Sequence, residues 1–194
     1  MKRFLCALVM MVSASVAQAA APVAAKNFVD GVAKQVIEVA GNEGLAQSDK
    51  QAKIEAIFTD KVDINFIAKF VMGKNWRIAS PQQQQDYVAA YKPFILKTYA
   101  SKLARYSGQA YTLKNARADG DATVVTMEIN DTDGKKVLVD YRLKGDGDHF
   151  RIVDIAVEGV SLLTTQRSEF ASIIENKGID GLIDALKKQV AAKG

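Results

Sequence analysis

Apolar positions recur at helical spacing through the first half of the chain and alternate through most of the second. Phe28, Val32, Val36 and Val39 return every three or four residues, with Gly41 and Gly44 following as stop signals. Ser48 and Gln51 have the form of a capping box before Ile54 and Ile57-Phe58. Asp63 is placed to cap a short helix carrying Phe66, Ile67, Phe70 and Val71, closed by Gly73. The strongest start signal is Ser80-Pro81-Gln82-Gln83, with an N-cap serine, a proline at the first helical position and a glutamine at the third. The helix it opens is predicted to reach Tyr106, on an apolar stripe that includes Tyr87, Tyr91, Phe94, Ile95, Tyr99 and Leu103. Pro93 lies inside that stripe and predicts a kink, because proline lacks the backbone donor and crowds the preceding turn.

Beyond residue 110 the period falls to two. Val125, Met127 and Ile129 alternate with Val124, Thr126 and Glu128; Val137, Val139, Tyr141 and Leu143 alternate with Lys136, Leu138, Asp140 and Arg142. The cluster Asn130–Gly134 separates the two runs as a turn, and further strands are predicted near Tyr111–Arg117 and His149–Val157. Helical spacing then returns, from about Thr164 to Asn176 and, after Gly178, from Asp180 through Leu182, Ile183, Leu186 and Val190. Helices, a meander and helices again predict an α+β domain. A four-stranded antiparallel sheet is covered by helices on one face and wet on the other.

The start of the chain reads differently. Lys2-Arg3, the apolar run Phe4–Val16 and Ala17-Gln18-Ala19 together have the form of a secretory signal peptide cleaved after Ala19. Residues 20–194 are then a single domain, because no linker or repeat divides them. Cys6 lies within the leader, so the mature chain has no cysteine and relies on core packing alone. The formal charge of +4 falls to about +2 once Lys2 and Arg3 are removed. So balanced a charge, on an exported chain, argues against nucleic acid.

Reactive chemistry is scarce. Gly159-Val160-Ser161 is half of a nucleophile elbow, but Leu163 stands where the second glycine belongs, and His149 is the one histidine. Ser161 reads instead as a backbone partner at a strand-to-helix junction, opened by Gly159. There is no metal motif: Asp131-x-Asp133-Gly134 resembles part of a calcium loop, but Ile129 holds the preceding ligand position. The Asp-Gly-Asp triplets at 119–121 and 146–148 read as turns. No enzyme, metal or cofactor is expected. What remains is abundant apolar and aromatic surface, and periodicity does not separate a packed core from a core with a hole in it.

Four segments carry a family resemblance. Val157-Glu158-Gly159-Val160-Ser161-Leu162 with Thr164-Thr165-Gln166-Arg167-Ser168-Glu169-Phe170 resembles the MlaC family of periplasmic phospholipid-binding proteins, the toluene-tolerance auxiliary proteins. Val71–Arg77 with Ala79-Ser80-Pro81, Thr98–Gln109 and Lys177–Leu182 are similar to that family's other characteristic stretches. The resemblance implies a curved sheet backed by helices, similar to the nuclear-transport-factor-like class. It implies a monomeric periplasmic shuttle that maintains outer-membrane lipid asymmetry. Its cargo is phospholipid, and its partners are an outer-membrane lipoprotein complex and an inner-membrane ABC transporter complex. Two other readings stay open: a carrier of hopanoids or other apolar lipids, and an envelope adaptor that binds no lipid.

For the lipid-binding pocket the facing stripes nominate Tyr91, Ile95, Tyr99 and Leu103 from the long helix and Val125, Met127, Val139 and Tyr141 from the sheet. Val157, Val160 and Leu163 are nominated from the junction. Every one of these positions is equally compatible with plain core packing.

Overall fold

The computed structural model describes residues 14–105, 110–130, 133–146 and 149–192, with side chains from Ala21 onward. Five helices come first: α1 (Ala14–Gly41), α2 (Gln47–Lys61), α3 (Ile64–Met72), α4 (Asn75–Ile78) and α5 (Pro81–Leu103). Strands β1 (Tyr111–Asp119), β2 (Ala122–Asn130), β3 (Lys136–Lys144), β4 (Arg151–Val157) and β5 (Val160–Ser161) follow, and α6 (Leu162–Ala192) ends the chain. The sheet is antiparallel throughout in the order β1-β2-β3-β4-β5. This is an α+β fold with an open, curved sheet.

Local signals explain most boundaries. Ser80 and Gln83 close a reciprocal capping box at the start of α5, and Asp63 Oδ1 accepts the Phe66 amide at 2.9 Å to cap α3. Gly73 ends α3 at φ 58°, a conformation that favours glycine. Two expectations need correction, the cap of α2 and the number of strands. Ser48 does not cap α2: the helix begins at Gln47, whose side-chain Nε2 donates to the Ala104 carbonyl, and the Gln51 side chain donates to Glu55 instead. Pro93 lies inside α5, as the pattern predicts, and the helix runs on to Leu103 with α2, α3 and α6 packed against it. The helix end expected at Tyr106 lies outside the described residues. The sheet has a fifth strand, since Glu158 (φ 49°) and Gly159 (φ 78°) form a two-residue turn that pairs Val157 with Val160. Glu158 is held in that left-handed conformation by its amide, which donates to the Leu138 carbonyl, and by its carboxylate, which accepts the Leu138 amide.

The leader predicted for residues 1–19 lies outside the described residues up to residue 13, and α1 begins at Ala14 within its last part. Gly178, at φ 71° and ψ 178°, divides α6 into two helical arms, as its position in the apolar pattern predicts.

The sheet's outer face is a ladder of charges. Glu128 takes ion pairs from Lys114 and Lys136, and Asp140 faces Arg117 and accepts the Thr126 hydroxyl. Hydrogen bonds from Lys136 and then Lys114 hold the Glu128 carboxyl below its usual value. The inner face carries Leu113, Val125, Met127, Tyr141 and Ile155 toward the helices. At one end of the core, Tyr87, Tyr91, Phe94 and Phe170 form a contiguous aromatic cluster between α5 and α6. The Tyr87 hydroxyl donates to the Ala68 carbonyl of α3 at 3.1 Å.

Candidate lipid-binding cavity

Away from the aromatic cluster, sheet and helices do not close on one another. Two adjoining cavities, of about 140 and 260 Å³, lie between them. Together they reach the range of roughly 300–1,000 Å³ typical of ligand sites. The smaller is roofed by Val32, Val36 and Ile37 of α1 and by Ile54 and Ile57 of α2, and floored by Met127, Ile129 and Tyr141. The larger is lined by Ile67, Ile95, Tyr99, Leu162 and Leu163, with Lys102, Asp154 and Gln166 as its polar members. Phe58, Val62, Leu103, Ile152 and Ile155 belong to both, so these side chains form the partition. Phe58 stacks on Tyr99, ring centroids 6.4 Å apart and planes 5° from parallel.

A bulge in β4 makes the floor. Leu143 pairs with Ile152 and Arg142 with Asp154, leaving Val153 as an extra residue. Ile152 and Ile155 therefore share the inner face despite their odd spacing. Val153 is fully buried and lines neither cavity.

The junction from β5 into α6 is fastened by Asp154. Its Oδ2 accepts the Ser161 hydroxyl at 2.6 Å, and its Oδ1 accepts the amides of Ile155 and Leu163. Ser161 Oγ in turn accepts the Thr164 amide at 3.0 Å, an N-cap contact. The Ser161 proton is thus committed to a carboxylate that anchors backbone, while His149 is exposed beside the β3–β4 turn. Asp119 and Asp121, read from sequence as turn residues, pair with Arg142 and Lys144 of β3. Asp131, Gly147 and Asp148 lie outside the described residues. Among the described residues no group of His, Cys, Asp and Glu side chains can hold a metal ion.

Six of the eleven nominated residues border a cavity: Ile95, Tyr99, Leu103, Met127, Tyr141 and Leu163. The other five do not. Tyr91 and Val125 are fully buried in the packed core, Tyr91 inside the aromatic cluster. Val139 is buried and Val157 half-buried, paired with each other and off the cavity wall. Val160 is 60% exposed at the turn into β5. The roof residues of α1 and α2 were absent from the nomination, although Val32 and Val36 stand out in the sequence as a stripe. The polar members Asp154 and Gln166 carried no periodic signal at all.

The MlaC protein family matches residues 30–188, a stretch that takes in every cavity-lining element. This chain belongs to the MlaC family. Among MlaC-related proteins, the toluene tolerance protein ttg2D of Pseudomonas putida is 28% identical over 134 residues, covering 67% of this chain and 62% of ttg2D. The intermembrane phospholipid transport system binding protein MlaC of Haemophilus influenzae is 22% identical over 135 residues, covering 67% of this chain and 63% of its own length. The chain thus spans somewhat less than two thirds of these curated relatives. A solved structure, the phospholipid-binding protein from Ralstonia solanacearum in complex with a phospholipid, matches at a TM-score of 0.72 and 27% identity. That match covers 89% of this chain and 98% of the other.

Proposed function

We propose that this chain is a periplasmic phospholipid carrier. It is exported with residues 1–19 as a leader and shuttles lipid between an outer-membrane lipoprotein complex and an inner-membrane ABC transporter complex, maintaining outer-membrane lipid asymmetry. One observation carries the reading: a two-compartment apolar cavity between sheet and helices, in a chain whose fold matches that of a phospholipid-bound protein. The acyl chains occupy the two compartments on either side of Phe58 and Leu103, and the head group stays at the rim. Ile95, Tyr99, Leu103, Met127, Tyr141 and Leu163 contact the chains, together with the roof residues of α1 and α2.

The energetics suit a carrier. Each methylene removed from water contributes roughly 0.8 kcal/mol, so escape into the aqueous periplasm is slow. The cavity has only to match the bilayer as a solvent, and transfer then runs in whichever direction the partner complexes set. No described helix is long and apolar enough to cross a membrane. The arrangement calls for no catalysis: the Ser161 hydroxyl caps a helix. The chain acts as a monomer, with lipid as cargo and no cofactor.

Mass spectrometry of what leaves the protein after detergent-free purification tests this. About one phospholipid per chain is expected. A bound hopanoid would replace the cargo assignment, and an empty protein that takes up nothing from liposomes would make the adaptor reading correct.

A further inference from the structure

The larger cavity contains one buried amide whose hydrogen bonding is half complete. Gln166 is 8% exposed and lines the cavity from the first turns of α6. Its Oε1 accepts the Tyr91 hydroxyl at 2.5 Å. Burial pushes the Tyr91 phenol far above its usual range, so it stays protonated and remains the donor. The Gln166 Nε2 group therefore faces away from Tyr91 with two N–H donors and no acceptor among the described residues.

No neighbouring side chain of that wall accepts from it. Ile67, Ile95, Leu162 and Leu163 are apolar, and the Asp154 oxygens bond instead to Ser161, Ile155 and Leu163. A buried donor without a partner is costly to the folded protein, and natural interiors rarely leave one. An acceptor arriving with the cargo removes that cost.

We propose that the Gln166 side-chain amide donates to an acyl-ester carbonyl of the bound lipid, so that the larger compartment holds the ester end and selects ester lipids over equally apolar lipids without a carbonyl. This rests on the phospholipid-carrier reading. Lys102, on the rim of the same compartment, is exposed, and its ammonium makes no ion pair or hydrogen bond among the described residues. Its ammonium is available to the phosphate that lies beyond the ester. The smaller compartment has no such buried amide on its wall, and takes hydrocarbon.

The test is a competition. Full-length mature protein stripped of lipid is incubated with vesicles equimolar in diester phosphatidylglycerol and its diether analogue of the same chain length. Native mass spectrometry then counts each bound species. The wild-type protein is expected to enrich the diester about fivefold to tenfold, the scale of one well-made hydrogen bond. In Gln166→Met the ratio falls to about one. A wild-type ratio of one overturns the proposal without reference to any variant's folding. A diester preference that survives in Gln166→Met overturns it as well, by placing the donor elsewhere. Uptake of neither lipid removes the carrier reading, and this inference with it.

Discussion

Filling the cavity separates stability from cargo capacity. Ala33 lies on α1, half-buried, with its methyl on the wall of the 140 Å³ compartment. Ala33→Leu adds three carbons to that space. At about 0.8 kcal/mol per buried methylene-sized group, the empty protein gains roughly 2 kcal/mol. Filling void of this kind returns about 24 cal/mol per Å³, which caps the gain from the whole compartment at roughly 3 kcal/mol. In a domain of this size about 2 kcal/mol corresponds to a rise in Tm of roughly 4–8 °C. The same three carbons displace part of an acyl chain. The lipid loses a similar free energy, and loading from phospholipid vesicles falls by roughly thirtyfold at about 1.4 kcal/mol per decade. Thermal melting of the lipid-free protein and lipid uptake are measured on the same preparation, and the two effects have opposite signs. A stabilised variant that loads normally would show that the compartment is not cargo space. A variant destabilised by the 1–3 kcal/mol typical of overpacking would show that Ala33 faces packed core.

Leu163→Glu places a carboxylate against the apolar wall of the larger cavity, and phospholipid uptake is expected to vanish while circular dichroism still shows a folded protein. A folded Leu163→Glu protein that still carries lipid refutes the assignment of that cavity to the cargo. Ser161→Ala removes the N-cap of α6 and one partner of Asp154, for a loss of about 1 kcal/mol in urea unfolding with lipid binding retained. A chromogenic-ester activity present in the wild type and lost in Ser161→Ala would instead make this serine a nucleophile. Asp30 is held below the usual 3.8 by hydrogen bonds from Lys34 and then Tyr111, the second of which ties α1 to β1. Because its folded value is depressed, its contribution is complete above 3.8 and is lost as pH falls through the folded value. Asp30→Asn is therefore expected to flatten the pH dependence of Tm below about pH 4, and an unchanged acid limb would show that the carboxylate adds nothing.

Local chemistry made the elements legible. The capping box at Ser80, the Asp63 cap and the glycines at 73 and 178 act over a few residues of chain, so neighbouring residues are enough to reveal them. The strands of the meander follow from alternation for the same reason. Where tertiary contacts compete, local reading gave way. Gln47 moves the start of α2 by reaching the end of α5.

The cavity belongs to the tertiary structure. Tyr91 and Tyr99 sit on one helical stripe two turns apart, yet one is enclosed by aromatic rings and the other borders open space. Alternation along β4 puts Val153, Ile155 and Val157 on a common face, but the bulge puts Ile152 beside Ile155 instead. Val32 and Phe58 show only that their helices have an apolar side. Their role as cavity wall depends on how far α1 and α2 stand from the sheet. That spacing is set by every side chain in the core at once, because a close-packed interior leaves a hole only where the summed volumes of the facing residues fall short.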